Sequence, residues 1–259
     1  MEYQFQIQCD QGAFRSNNED AILHGVKSLD TRLTGSPIVK KQKIAWIVIA
    51  DGMGGHNAGE VASEILTTHI ESAINALDKT QDIDWSHWII DQIKIANTKI
   101  FSQSQKNPSQ SGMGTTGVIA ILTDETAYVG WVGDSRCYWC KVKDGELKLL
   151  TRDHTMVQLF VDKGAMTQEE ADKANNKNML SRAIGIKATV DVDVVQHQLH
   201  KGDMLFLSTD GLHDSLSNTQ LISYLTKASK GDPIEAQMLK DAIAAGSRDN
   251  ISFGTIALI

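Results

Sequence analysis

Apolar residues recur along this chain in two rhythms, and the switches between them outline the fold. Short runs of strand length, alternating or rich in β-branched and aromatic residues, lie at 3–9, 43–50, 116–123, 126–133, 137–142, 146–150, 190–199, 203–208 and 251–259. Asp144-Gly145, at the centre of DGEL, predicts a hairpin turn between two of these runs. A 3.6-residue period governs Val61, Ile65, Leu66, Ile70, Ala73, Ile74 and Leu77, which form one helical stripe. Trp85, Trp88, Ile89, Ile93, Ala96 and Ile100 form a second, and the two tryptophans read as packing anchors on it. Shorter helices fit 155–163, 167–174, 217–228 and 233–245. Two consecutive long helices, then strands with no helices between them, predict an α+β fold with antiparallel sheets.

No repeat, low-complexity tract or Pro/Gly/Ser linker divides the 259 residues, so a single domain over 1–259 is expected. Apolar residues make up 41% and charged residues 22%, the balance of a folded globular chain. The 25 Lys plus Arg against 32 Asp plus Glu leave a formal charge of −7, which argues against a nucleic-acid or anionic-lipid partner. The longest apolar run, Ile44 to Ala50, is far short of the roughly 20 residues of a membrane span. Three cysteines and an N-terminus without a basic and apolar leader predict a cytoplasmic protein in a reducing compartment.

Two sequence patterns compete for the chemistry and fail on context. Gly112 to Gly117 fits the GxGxxG dinucleotide fingerprint, but a polar loop precedes it and a strand follows, where the fingerprint needs a strand and then a helix. Cys9 to Ser16 fits CxxGxxRS and resembles the phosphate loop of cysteine-dependent tyrosine phosphatases, with Cys9 as nucleophile and Arg15 gripping phosphate. Asp10 beside the sulfur opposes a thiolate, and the plainer reading makes Cys9 a buried strand residue. Cys137 and Cys140 form a CxxC, but on a strand they point to opposite faces and share neither metal nor disulfide.

A third signal is a recurrence. Asp51, Asp134, Asp210 and Asp249 each stand at the mouth of an apolar strand, with Glu19 and Asp20 just past the first strand and Asp214 four residues after Asp210. One such Asp is ordinarily a turn former or helix cap. Four on separate strands, gathered by a sheet, repel one another unless cations hold them. An all-oxygen donor set selects hard ions, Mg²⁺ or Mn²⁺.

In order along the chain, Arg15-Ser16-Asn17-Asn18-Glu19-Asp20, Asp51-Gly52-Met53-Gly54-Gly55-His56, Ser111 to Thr116, Val132-Gly133-Asp134-Ser135-Arg136, Leu180 to Gly185, Ser208-Thr209-Asp210-Gly211 and Asp249-Asn250 resemble the motifs of the type 2C metal-dependent protein phosphatases, bacterial type. The resemblance implies an α-β-β-α sandwich of two antiparallel sheets flanked by helices. It also implies hydrolysis of protein phosphoserine and phosphothreonine by a metal-bridging hydroxide, without a phosphoenzyme. By position, Asp51 would bridge two ions, Mn²⁺ or Mg²⁺. Gly52 would offer its carbonyl to one of them, and Asp210 and Asp249 would hold the other. Glu19 and Asp20 would act through water, Asp134 with Asp210 would take a weaker third ion, and Arg15 would bind phosphate. Residues 155–180 would form a flap, with Asp153 and His154 as positioning residues before it and Arg136 and Arg182 in structural ion pairs. Many eukaryotic members have His where Met53 stands, so the general acid is left open and His56 is only a neighbour. The implied partners are phosphoproteins, a Ser/Thr protein kinase among them, acted on by a monomer. A cysteine phosphatase and a catalytically inactive scaffold stand as the alternatives.

Overall fold

The computed structural model describes residues 2–32, 39–54, 58–77 and 83–259. His56 lies outside the described residues. Two antiparallel sheets stack face to face. The first runs β1 (Tyr3–Asp10), β11 (Ile251–Leu258), β10 (Asp203–Ser208), β7 (Arg136–Lys141) and β8 (Glu146–Leu149). The second runs β2 (Asp20–Arg32), β3 (Val39–Met53), β5 (Gly117–Thr123), β6 (Thr126–Val132) and β9 (Asp193–Gln198), with the two-residue β4 (Gly114–Thr115) paired to the end of β3.

The alternation of side chains along each strand sorts the apolar residues into three layers. Ile47, Ile49, Val118, Ala120, Leu205, Leu207 and Ile256 meet between the sheets. The opposite face of the second sheet, with Trp46, Val48, Ile119 and Ile121, is covered by α1 (Gly59–Asn75) and α2 (Trp85–Lys106). The outer face of the first, with Phe206 and Phe253, is covered by the short α5 (Asp210–His213), α6 (Asn218–Ala228) and α7 (Glu235–Ala244). This is the expected α-β-β-α sandwich. Cys137 falls in the layer between the sheets and Cys140 in the outer one, so the CxxC points both ways and both thiols are free.

Several local expectations need correction. The whole of β2 is absent from the apolar pattern; it is an edge strand, anchored among its described side chains by Ile22 and Leu23. Gly25 sits there under the Trp46 ring, where a Cβ would approach the indole to 2.9 Å. The strand expected over 190–199 shrinks to β9, and α5 was not expected at all. The Asp144-Gly145 hairpin closes through a 3₁₀ turn over Val142–Asp144, with Gly145 at φ 65°. Between β8 and β9 the chain forms α3 (Met156–Asp162) and α4 (Gln168–Asp172), and an isolated bridge between Thr155 and Leu180 pins the two ends of that segment together.

Ile47 is fully buried between the sheets. Ile47→Ala should destabilise the fold by about 2–5 kcal/mol, read as a lower urea midpoint with an unchanged slope.

Candidate active site

The strand ends of both sheets meet at one end of the sandwich, and the acids gather there. Asp51 lies near the end of β3, and Asp20 opens β2 directly across the ladder from it. Asp134 lies in the crossover from β6 to β7, Asp210 begins α5 just after β10, and Asp249 stands two residues before β11. Arg15, Glu19, Asp51, Gly52, Asp134, Asp210 and Asp249 line one cleft of about 440 Å³. Asp20 is not on its wall. It sits behind, accepting a hydrogen bond from Thr209 Oγ1 at 3.0 Å.

Close backbone approaches hold these residues in place. The carbonyl of Asp51 accepts from Thr115 Oγ1 and from the Thr116 amide, each at 2.9 Å, while its own amide donates to Thr116 Oγ1. GMGTT, the source of the false dinucleotide match, therefore clamps Asp51. At Gly52 a Cβ would meet the Gly59 carbonyl oxygen at 2.2 Å and that of Glu19 at 2.5 Å. The entry to β2, the end of β3 and the start of α1 thus pack backbone on backbone. Asn250 ties the loop of Arg15 to the site: its Oδ1 accepts from the Glu19 amide, and its Nδ2 donates to the carbonyls of Gln11 and Asn17.

The electrostatics are those of crowded, buried carboxylates. Burial, and then Asp210 and Asp249 nearby, push Asp20 up to about 7. Burial, followed by Asp249 and Asp214, pushes Asp210 up to about 6. Asp51 and Asp134 are driven well above the usual carboxylate range, chiefly by burial and then by neighbouring aspartates. One oxygen of Asp20 and one of Asp210 are buried with no hydrogen-bond partner. An acceptor left bare in this way is costly unless a proton or cation satisfies it. An all-oxygen set with bare acceptors suits hard divalent ions. Among the described residues no three His, Cys, Asp or Glu side chains meet at one ion position, so Asp51, Asp210 and Asp249 would have to draw together to share an ion, with backbone carbonyl and water completing its shell.

Two cationic or amide groups already touch the cluster. Arg15 Nη2 donates to Asp249 Oδ2 at 2.6 Å. Asn178, from the end of the 155–180 segment, donates to Asp210 Oδ2 at 2.9 Å and to Asp214 Oδ2 at 3.2 Å, and Lys177 pairs with Asp214 at 2.8 Å. Neither Asn178 nor Lys177 was legible as a site residue. Arg136 forks onto Asp153, and Arg182 pairs with Asp193 at 2.9 Å. His154 is buried, and burial followed by Arg182 lowers its pKa. Its Nδ1 accepts from the Gly133 amide, so Nε2 carries the hydrogen and donates to Asp193. His154 thereby positions the turn that presents Asp134.

Cys9 is exposed, not buried as expected. Desolvation of the sulfur raises its pKa; hydrogen bonds with Ser252 and Asn18 lower it by less, and Asp20 and Asp10 add smaller upward pushes. A group held as a thiol is a poor nucleophile, and Arg15 is engaged with Asp249. The cysteine-phosphatase alternative is not favoured.

The family model described as Protein phosphatase 2C matches residues 8–251. A putative protein phosphatase 2C-type of Streptococcus pyogenes is 32% identical, over 98% of this chain and 95% of its own. The serine/threonine phosphatase of S. agalactiae superposes with a TM-score of 0.85 at 31% identity, covering 100% of both chains. The catalytic domain of the serine/threonine protein phosphatase PstP, in complex with two manganese ions, superposes with a TM-score of 0.78 at 26% identity, covering 98% of this chain and 97% of that one.

A carboxyl whose folded pKa exceeds its unfolded one keeps a proton that the unfolded chain has released, so it stabilises the fold at low pH and loses that contribution as pH rises. For Asp20 and Asp210 the window runs from about pH 4 to 7. In EDTA, the melting temperature should therefore fall by several degrees between pH 5.5 and pH 8. Asp20→Asn should flatten that slope, as read by thermal denaturation.

Proposed function

The chain belongs to the protein phosphatase 2C family and is a serine/threonine protein phosphatase acting on phosphoproteins, and we propose that the cleft at the strand ends would hold two divalent ions, Mn²⁺ or Mg²⁺, and a weaker third for its hydrolysis. The observation that carries this reading is the pair of bare, buried oxygens on Asp20 and Asp210 within a cluster of acids from both sheets. Manganese in the PstP catalytic domain supports the choice of ion.

In this reading Asp51 would serve both ions, with the Gly52 carbonyl as a further ligand to one of them. Asp210 and Asp249 would hold the other, Glu19 and Asp20 would act through water, and Asp134 with Asp210 would hold the third. When bound, such ions supply Lewis-acid charge and lower the pKa of water. The chain contributes the rest. Arg15, at the lip of the cleft, grips the phosphoryl oxygens with its planar fork. The clamp of Thr115 and Thr116 fixes where Asp51 stands. Met53 carries no titratable proton, so it does not protonate the leaving group. The catalytic unit is the chain as a single domain, with residues 155–180 as the flap beside the cleft. Its substrates include a Ser/Thr protein kinase, and its free cysteines suit the cytoplasm.

Hydrolysis of p-nitrophenyl phosphate should require Mn²⁺ or Mg²⁺, stop in EDTA and survive thiol alkylation. Asp51→Asn should lower kcat at least about 1,000-fold, a loss of roughly 4 kcal/mol. Activity that persists in EDTA and disappears on alkylating Cys9 would reverse the reading.

Arg15→Ala should raise KM for phosphopeptides more than it lowers kcat, because a guanidinium that binds ground-state phosphate acts mainly on binding. Lys at this position should recover only part of the loss. Steady-state kinetics on one phosphopeptide decides between these outcomes.

A further inference from the structure

Beside the catalytic cleft lies a second cavity of about 260 Å³ that the hydrolysis does not use. Met53 and Leu180 line both cavities, so the two adjoin. The chemistry of the walls changes across that boundary. The cleft is carboxylate-lined, whereas beyond it Ala183, Ile186 and Val190 face the space, with Arg182, Lys187 and Asp191 among the polar residues around them. Ile186 is 39% exposed, unusual for an isoleucine held in place.

The groove is built rather than incidental. Its floor is the loop after Ile184, which bridges Thr115 in the motif that clamps Asp51. Asn97, fully buried on α2, fixes this loop from beneath. Its Oδ1 accepts from the Gly185 amide at 2.7 Å, and its Nδ2 donates to the carbonyls of Lys187 and Ala188. Ile186 folds over Gly114, where a Cβ would come within 2.7 Å of its Cδ1. Arg182, on the far wall, is held by Asp193. A cavity of this size is below the roughly 300–1,000 Å³ of a small-molecule site and suits a single side chain.

What fills it follows from its place beside the cleft. The phosphorylated residue of a substrate must place its phosphate among the acids and Arg15. An extended peptide advances about 3.3 Å per residue, so side chains flanking the phosphorylated residue lie near the wall of Met53 and Leu180 that the groove shares with the cleft. We propose that this groove is a specificity subsite that takes one aliphatic or aromatic side chain flanking the phosphoserine or phosphothreonine, with Ile186 as its determining wall. The proposal rests on the phosphatase reading and names which substrates that site prefers.

The test uses the full chain with Mn²⁺ and a panel of phosphoserine peptides in which one Leu replaces Ser at each position from three before to three after the phosphoresidue. At one position Leu should raise kcat/KM about tenfold, the scale on which an apolar pocket discriminates. Ile186→Asp should erase that advantage and Ile186→Ala should reduce it about threefold, while p-nitrophenyl phosphate turnover stays within about twofold of wild type. A flat Leu scan in the wild-type protein overturns the subsite, whatever the variants do. So does an advantage that survives Ile186→Asp, or a variant that slows p-nitrophenyl phosphate as much as peptide. Absence of all p-nitrophenyl phosphate turnover in the wild type would instead remove the phosphatase reading on which the subsite depends.

Discussion

Mutual repulsion among buried carboxylates is the constraint around which this molecule is arranged. Asp20, Asp51, Asp134 and Asp210 are brought together by strands of two different sheets, and all four hold their protons more tightly than free carboxyls do. Arg15 reaches Asp249, and Asn178 reaches Asp210 and Asp214. Such a cluster is tolerable only when positive charge enters it, either as protons or as divalent ions. The same sandwich could be closed at this end with neutral turn residues. That it is closed with acids ties the stability of the fold to what binds there.

Much of this was legible in the sequence, for identifiable reasons. Buried strands such as β3, β5 and β11 must be apolar on both faces, so their runs stand out. Helices α1 and α2 each cover one sheet face and carry an unbroken stripe. The acids were visible because each directly abuts one of those apolar runs. The edge strand β2 was not visible, since it pairs with one neighbour and is anchored among its described side chains by Ile22 and Leu23. Helix α5, four residues long, has no room for a period.

The less legible part of the site depends on contacts between distant segments. Asn178 is an ordinary polar residue in a polar stretch, and only the return of the 155–180 segment to Leu180 brings it to Asp210 and Asp214. Asn97 likewise sits inside a helical stripe and yet anchors a loop some 90 residues later. The misreading of Cys9 has a similar source. Its strand, β1, is at a sheet edge, and alternation alone cannot say which face a neighbouring layer will cover. Short motifs, by contrast, were misleading only until their context was read: GxGxxG became the clamp on Asp51.

The pairing of β1 with β11 has a consequence for how the protein comes into being. Tyr3 faces Leu258 across the ladder and Asp10 faces Ile251, so the strand made first waits for a partner about 240 residues behind it. At roughly 5–20 residues per second, the ribosome leaves β1 without its neighbour for about 12–48 s. Until then the loop carrying Arg15 and Glu19 lacks Asn250, which fastens it. Non-local closure of this kind is slow and leaves strand edges open to other chains. During synthesis, therefore, that edge stays open until β11 emerges, and the loop that carries Arg15 is fastened only when the two ends of the fold meet.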